Sequence, residues 1–386
     1  MTKRLSRRDI ILLIVAFLLT RAAITAAGVL SMRVLPSSEG EEYTHLLDGG
    51  AALDMWYRWD AGFYATIATY NYDWINDQRP SDDMAFLPVY PLAIHLVSGM
   101  TPTGCALSPY LSTCATLGGL AVSNVALLLS VFLLFDLAQR HFGRPAAWRT
   151  VLLLLVSPIS IFLSGVYTES LFLLLTLLTF WLLEGDHFLL AVLVASVACL
   201  TRSVGVALFL PLLWVAWRGR SMLRLYRIVL AFVPPLLFAG YILLAGVSVG
   251  DPLAFFKTFD TTWGRVAGTP IQAFTVYFSG EEVSLFGWRL SWLDLLLTLV
   301  YLALSALLLR EKTTRLWGVF ALVAILVPVA SGSLLSMPRY GAAIFPFTIL
   351  LGKWADRVPK QVLIYGAAAA LALLFLTRFV TWRWIA

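Results

Sequence analysis

Residues 117–138 read LGGLAVSNVALLLSVFLLFDLA and are followed by Arg140, Arg144 and Arg149. The apolar stretch holds a single acid and is long enough to cross a hydrocarbon core about 30 Å thick as an α-helix. Basic residues that directly follow such a helix mark its cytoplasmic end. The stretch therefore predicts a membrane-spanning helix that ends on the cytoplasmic side.

The rest of the chain has the same character. Its 386 residues are 60% hydrophobic and 13% charged, with a mean hydropathy of +0.84. Soluble domains carry about 25% charged residues. This composition excludes an ordinary soluble protein and predicts an all-α polytopic membrane protein.

The net charge of +6 comes largely from short basic segments between apolar runs. By the positive-inside rule, these segments face the cytoplasm. The five segments are 3–8, 140–149, 218–227, 310–315 and 353–360. Orientation thus accounts for the charge, and we expect no nucleic-acid partner.

Placing these segments inside predicts about eleven spans in one bundle-like domain over residues 1–386. The predicted spans are approximately 10–31, 117–138, 147–164, 170–184, 188–201, 204–217, 226–248, 291–310, 316–333, 341–352 and 361–380. The segments 32–116 and 249–290 are then external. Residues 86–100 are too short for an ordinary span and predict an interfacial or re-entrant helix. Trp382 and Trp384 are expected to anchor the outer interface.

The first external segment carries an unusual acid, Asp60, directly after Trp59. Apolar residues around it recur at helical spacing, which predicts an amphipathic helix in the membrane interface with Asp60 at its edge. Such an acid is partly desolvated and is therefore a better general base. Tyr64 follows one turn later, and Tyr90 lies in the FLPVYP stretch at 86–91. A solvated acid beside an interfacial tryptophan is an equally open interpretation.

Other polar residues near the external side also have two interpretations. Glu169, two residues after Tyr167, can bind a substrate or occupy the first turn of a helix. Arg202, between two short apolar helices, can bind an anion or extend to the headgroups. Arg339 can bind substrate or belong to a helix start that contains proline. Arg21 interrupts the first span, so we expect it to face the bundle and an anionic partner or substrate.

Cofactor motifs are missing from the sequence. The four histidines are scattered, and neither a D-x-D motif nor a glycine-rich nucleotide loop occurs. We therefore expect no cofactor and no divalent metal. Cys105 and Cys114 can form a disulfide if their loop is external.

The motifs, taken in order, resemble a known family. They are Trp59-Asp60, F-x-P-x-Y-P at 86–91, S-P-x-S followed by Y-x-E-S-L-F at 157–172, T-R-S-x-G at 201–205 and P-R-Y at 338–340. This series is similar to the polytopic mannosyltransferases that add the second mannose to the glycosylphosphatidylinositol anchor precursor (PIG-V-like). That family belongs to the GT-C superfamily of enzymes that use lipid-linked sugars. The compact chain favours a prokaryotic member.

The resemblance implies an inverting transfer of mannose from a polyprenyl-phosphate-mannose donor to a hydroxyl of a lipid or glycan acceptor. The reaction would take place on the external face of a prokaryotic plasma membrane, or on the lumenal face of the endoplasmic reticulum membrane of a eukaryote, among membrane lipids. The resemblance makes Asp60 the base, with Trp59 shaping its pocket, and makes Tyr167, Glu169, Arg202 and Arg339 substrate contacts. From their charge, we expect Arg202, with Arg339 or Arg21, to hold the donor phosphate, and no metal to be required. The candidate site residues are Arg21, Trp59, Asp60, Tyr64, Tyr90, Tyr167, Glu169, Arg202 and Arg339.

Three alternatives stay open at this point. A GT-C enzyme could transfer another sugar or use a protein acceptor. A transporter or flippase of lipid-linked sugars would place its polar residues near the bilayer midplane in paired repeats, and no repeat is evident in the sequence. An inert scaffold subunit would not bring the candidate residues together.

Overall fold

The structure is a computed structural model. It describes residues 5–39, 47, 50–77, 80–99, 106–108, 111–219, 221–263, 268–287 and 290–385. Lys3, Arg4, Cys105 and Arg220, which enter the predictions above, lie outside the described residues. Cys114 is disulfide-bonded.

The described residues are mainly helical. The α-helices are α1 (Arg7–Val34), α2 (Ala51–Asp54), α3 (Ala61–Tyr70), α4 (Asp73–Asp77), α5 (Val89–Ser98), α6 (Thr113–Phe142), α7 (Arg144–Leu155), α8 (Ser160–Ser164), α9 (Glu169–Glu184), α10 (Phe188–Cys199), α11 (Phe209–Arg218), α12 (Ser221–Ala231), α13 (Val233–Ser248), α14 (Ala254–Trp263), α15 (Gln272–Thr275), α16 (Trp292–Arg310), α17 (Arg315–Val329), α18 (Met337–Ala342), α19 (Phe345–Trp354) and α20 (Val358–Val380). Three 3₁₀ helices cover Asp82–Ala85, Ser203–Leu208 and Val276–Phe278. A small antiparallel pair joins β1 (Ala106–Ser108) and β2 (Leu111–Ser112).

Several of these helices can cross a membrane. Within the described residues, five helical stretches have the length and hydropathy of a span: α1, α6, α16, α20 and Met222–Ser248, which includes most of α12 and all of α13. Shorter apolar helices are Val89–Ser98, Phe188–Cys199, Ser203–Arg218 and Arg315–Val329. The all-helical multi-pass membrane fold is confirmed, whereas the count of eleven spans and their orientation stay predictions.

Serine caps fix the start of three long helices. In each case the serine hydroxyl accepts a backbone N–H from the first turn, which satisfies a donor that the helix itself cannot pair. The serines are Ser6 before α1, Ser112 before α6 and Ser291 before α16.

The prediction of one continuous helix over 147–164 is wrong. α7 ends at Leu155 and α8 begins at Ser160, with Pro158 in the gap. Proline has no N–H to donate and disfavours helical geometry in the residue before it, which favours a break in the helix at this point.

Contacts along the chain separate it into two compact units. Unit 1 comprises Met1–Thr69, Pro91–Leu177 and Phe345–Ile385, and unit 2 comprises Tyr70–Tyr90, Leu178–Ile344 and Ala386. In unit 1, α6 packs on α7 and α8, α7 packs on α19, and α1 packs on α20. In unit 2, α16 packs on α17 and α18, α10 packs on α13, and the 3₁₀ helix Ser203–Leu208 packs on α17. Each unit therefore has its own core.

Candidate active site

In unit 1, Trp59 and Asp60 lie in a turn between two short helices. α2 ends at Asp54 and α3 begins at Ala61, so the predicted amphipathic helix through Asp60 is wrong. Trp59 has φ of 54°, in the left-handed region that bulky residues rarely adopt. Asp60 is half-buried, and its carbonyl oxygen accepts the Tyr64 N–H over 3.3 Å. The carboxylate therefore stands at the N-terminus of α3, where negative charge is favoured.

Tertiary hydrogen bonds explain why the helix stops at this turn. The Tyr167 hydroxyl donates to the carbonyl oxygen of Arg58 over 2.8 Å, and the Ala61 N–H donates to the same oxygen over 3.2 Å. The guanidinium of Arg58 donates to Asp54 Oδ2 over 2.9 Å, and both side chains are fully buried. Burial lowers the pKa of Arg58, and the negative charge of Asp54 acts in the opposite direction. The contact with Tyr167, 109 residues away, cannot be recognised from local spacing.

Tyr167 supports the turn from within the core. Its ring is fully buried and packs against Phe162 and Phe379, with ring centroids 5.0 and 6.0 Å away. The Tyr64 ring lies edge-on at 6.5 Å, so these two candidate residues are brought together. Because the Tyr167 hydroxyl is engaged with a backbone carbonyl, the structure places this residue behind the turn. A direct sugar contact by Tyr167 stays a prediction.

Glu169 is the first residue of α9 and is fully buried. A carboxylate in the first turn interacts favourably with the N–H groups of that turn. This position agrees with the interpretation of Glu169 as a residue of a helix start. Its neighbours Thr168 and Ser170 are buried as well, and the Ser170 hydroxyl bonds to the Leu163 carbonyl oxygen over 2.5 Å. The substrate-binding role of Glu169 stays a prediction.

Arg21 faces the interior of unit 1, as expected for a charge within a span. Its guanidinium donates to the carbonyl oxygens of Leu155 (2.6 Å) and Ser160 (3.2 Å) and to the Ser164 hydroxyl (2.6 Å). The acceptors are neutral oxygens, whereas an anionic partner or substrate was expected. Arg21 therefore satisfies polar groups at the break between α7 and α8, and a phosphate contact stays a prediction.

Trp382 and Trp384 contact the Trp59 turn, and their expected anchoring at the outer interface stays a prediction. Both rings pack on Trp59 with centroids 5.4 Å away, and the Arg58 guanidinium carbon lies 5.0 Å from the Trp382 ring centroid. The end of the chain thus forms one wall of the turn that holds Asp60.

Unit 2 brings together a second group of candidates. Arg202 is buried, and its guanidinium carbon lies 5.2 Å from the ring centroid of Tyr340. Arg339 precedes that tyrosine in α18, and the backbone N–H of Val89, next to Tyr90, donates to the Leu200 carbonyl oxygen over 3.2 Å. Tyr90 is fully buried. Residues 86–90 of the FLPVYP motif and the T-R-S-x-G and P-R-Y motifs therefore all belong to unit 2.

Gly205 explains the tight turn around Arg202. A Cβ atom at this position would lie 2.6 Å from the Ala198 carbonyl oxygen and 2.6 Å from the Cys199 nitrogen. Any side chain at this position would therefore force a shift of the backbone where the chain returns over the end of α10. The Gly205 N–H donates to the Arg202 carbonyl oxygen over 2.8 Å and closes the turn.

A mostly apolar cavity of about 370 Å³ lies within unit 2, next to this turn. Its lining includes Ser203, three phenylalanines of α14, residues of α17 and Tyr340, the ring on which Arg202 stacks. An apolar volume beside a cation suits an amphiphile that carries an anionic headgroup.

Among the described residues, no group of His, Cys, Asp or Glu could hold a metal ion. The expectation that no divalent metal takes part stays a prediction.

Comparison with known proteins identifies the family. The family described as Mannosyltransferase (PIG-V) matches residues 5–271. The chain belongs to this family. GPI mannosyltransferase 2 of Yarrowia lipolytica is 27% identical to it over 207 residues, which cover 52% of this chain and 51% of that protein. The chain thus matches about half the length of this curated relative.

One solved structure supports the fold of this PIG-V-family chain. ArnT from Cupriavidus metallidurans, crystallised bound to undecaprenyl phosphate, superposes with a TM-score of 0.51 at 17% identity, over 92% of this chain and 63% of that chain. The oligosaccharyltransferase of Archaeoglobus fulgidus gives a TM-score of 0.49 at 11% identity, over 96% of this chain and 56% of that chain. The resemblance to a GT-C fold, first seen in the motifs, is confirmed.

Two residues around the family's Trp59-Asp60 motif were not identified from the sequence. Arg58 directly precedes the motif, and Asp54 lies four residues earlier, the spacing of a helical ion pair. That spacing was a usable signal. It could not reveal that both side chains are buried, because the burial comes from distant parts of the chain.

Proposed function

We propose that the protein is an inverting mannosyltransferase that takes mannose from a polyprenyl-phosphate donor. The observation that carries this proposal is the family match over residues 5–271, a range that includes Asp60, Glu169 and Arg202. The ArnT structure of similar fold contains undecaprenyl phosphate, which supports a polyprenyl phosphate as the lipid carrier. The acceptor is a lipid or glycan hydroxyl.

In this proposal Arg202 binds the donor phosphate. Its burial strengthens the attraction between guanidinium and phosphate, and stacking on Tyr340 limits its rotamers. The adjacent cavity of about 370 Å³ accepts part of the isoprenoid chain. Arg339, next to Tyr340, adds positive charge as the phosphate departs with its bond electrons.

Asp60 acts as the general base. It takes the proton of the acceptor hydroxyl as that oxygen attacks the anomeric carbon, a contribution of about 10²- to 10⁴-fold for a positioned base. Its place in a fixed turn before α3 suits this role, because a base must be held in register with the attacking oxygen. Phosphate leaves as a stable anion, so the proposal requires no metal or cofactor.

The protein is an integral multi-pass membrane protein. We place the reaction on the external face of a plasma membrane, because the motifs lie opposite the basic segments in the predicted topology.

The test is transfer of radiolabelled mannose from synthetic polyprenyl-phosphate-mannose by the purified protein in liposomes that contain candidate lipid acceptors. We expect transfer by the wild type and a loss of about 10²-fold or more in Asp60→Asn. Asp73→Asn, an exposed acid in the same predicted external segment, is the matched control and should retain activity. Transfer at the wild-type rate by Asp60→Asn would remove the assigned base.

The donor preference is measured with a panel of polyprenyl-phosphate sugars under the same conditions. Mannose should be the preferred sugar. A clear preference for another sugar would reject the proposed donor and leave the assignment of the fold unchanged. For the phosphate site, Arg202→Ala with an unchanged donor KM would reject the role of that arginine.

A further inference from the structure

A buried ion pair lies directly before the Trp59–Asp60 turn and takes no part in the proposed chemistry. Arg58 and Asp54 are both fully buried, and Nη2 of Arg58 donates to Oδ2 of Asp54 over 2.9 Å. Nη1 of Arg58 donates to the carbonyl oxygens of Asp54 (2.6 Å) and Tyr57 (2.8 Å). The guanidinium thus binds backbone and side-chain oxygens of its own loop. Because it is fully buried, a substrate cannot contact it.

The pair is held from two further directions. Trp382 covers the guanidinium, and together with Trp384 it packs on the Trp59 ring. From the core, the Tyr167 hydroxyl donates to the Arg58 carbonyl oxygen over 2.8 Å. The backbone and the side chain of Arg58 are therefore both fixed, and the residue that follows has the unusual φ of 54°.

A bulky residue persists in the left-handed region only where its surroundings impose that conformation. Here the surroundings are the Arg58 contacts on one side of Trp59 and the start of α3 on the other. Released from those contacts, the turn would relax toward ordinary backbone geometry and would move the carboxylate of Asp60.

We infer that Arg58 is the positioning residue for Asp60. Clamped by Asp54, Trp382 and Tyr167, it holds the Trp59 turn in the conformation that aims the base. The inference rests on the proposed function, because the aim of Asp60 matters only if Asp60 takes the proton. A residue that acts through the base changes kcat and leaves donor binding alone.

A double-mutant comparison tests this directly. Arg58→Lys and Tyr167→Phe are each made in the wild type and in Asp60→Asn, and kcat and donor KM are measured in liposomes. In the wild type we expect kcat to fall about 10- to 100-fold with donor KM within about twofold, since small displacements of a catalytic group cost this much. In Asp60→Asn we expect no further loss, because a misplaced base and a missing base fail in the same way.

The chain offers a matched control for the gentler variant. The Tyr365 hydroxyl donates to the carbonyl oxygen of Arg149 over 2.8 Å, the same bond as that from Tyr167 to Arg58. Tyr365→Phe should therefore leave kcat unchanged. Arg58→Lys changes a buried ion pair, so this variant can fail to fold. In that case Tyr167→Phe alone decides the outcome.

A second measurement does not depend on activity. Hydrogen exchange of the backbone amides at 58–64 should speed up in Tyr167→Phe and stay at the wild-type rate in Tyr365→Phe. Unchanged exchange in Tyr167→Phe, or equal losses of kcat in both backgrounds, would overturn the inference while the proposed function stands. Full kcat in Asp60→Asn would remove the assigned base and the inference with it, whereas no mannose transfer by the wild type would overturn the proposed function.

Discussion

Replacing Arg21 by methionine should destabilise the protein without changing its affinity for the donor. The side chain is buried, and it donates short hydrogen bonds to the Leu155 carbonyl oxygen and the Ser164 hydroxyl, both at 2.6 Å. Within a hydrocarbon core no water can replace a lost donor. Methionine fills a similar volume but leaves these oxygens, and that of Ser160, without the guanidinium.

The expected cost follows from these bonds. A hydrogen bond to a charged group contributes about 1.5–3 kcal/mol, so two short ones give roughly 3–6 kcal/mol before the structure relaxes. We take about 3 kcal/mol as the net loss of unfolding free energy. At about 2–4 °C per kcal/mol, the midpoint of thermal unfolding should fall by roughly 6–12 °C.

The assay is thermal unfolding of the purified protein in one detergent, paired with the donor KM. Arg33→Met, an exposed arginine in the last turn of the same helix, should unfold at the wild-type temperature. If Arg21→Met unfolds at the wild-type temperature and raises the donor KM, Arg21 binds substrate and its structural role is refuted.

Three further outcomes are expected. Gly205→Ala should lower the free energy of unfolding by about 1–3 kcal/mol, measured by thermal unfolding, because the new Cβ would meet the Ala198 carbonyl oxygen at 2.6 Å. Tyr340→Leu should raise the donor KM with little change in kcat, because Arg202 loses the ring that limits its rotamers. Burial raises the pKa of Asp83, so the folded state binds this proton more tightly than the unfolded state. The free energy of unfolding of the wild type, relative to that of Asp83→Asn, should therefore rise as pH falls from neutral toward about 4. This direction is the reverse of that for an ordinary salt-bridged acid. Unfolding midpoints of both proteins across this pH range measure the difference.

Much of the fold could be predicted from hydropathy and charge. Predicted spans 10–31, 117–138, 291–310 and 361–380 correspond to α1, α6, α16 and α20. α1, α6 and α20 extend a few residues beyond at least one predicted end, and α16 agrees with its prediction to within one residue. Such runs are predominantly apolar and stop at charged or polar residues, so local sequence determines them.

The site was harder to predict for a physical reason. The helix expected through Asp60 is interrupted because Arg58 makes tertiary contacts with Tyr167, over a hundred residues away, and with Trp382 near the end of the chain. Such contacts override helical spacing and leave no periodic signal of their own. The residue types at the site were recognised, but their hydrogen-bond partners were not.

Three of the motifs that carry the family resemblance each lie at a break between helices. Trp59-Asp60 separates α2 from α3, Ser157-Pro158 separates α7 from α8, and Thr201-Arg202 separates α10 from a 3₁₀ helix. An interrupted helix in a membrane exposes backbone groups that the protein must pair itself. Arg21 pairs them at the second break, and Gly205 allows the close return at the third. Loss of activity on mutating a motif residue can therefore have two causes: the residue takes part in the reaction, or it pairs the backbone groups exposed at a helix break. Only a fall in kcat or a rise in KM at an unchanged unfolding temperature assigns such a residue to the reaction.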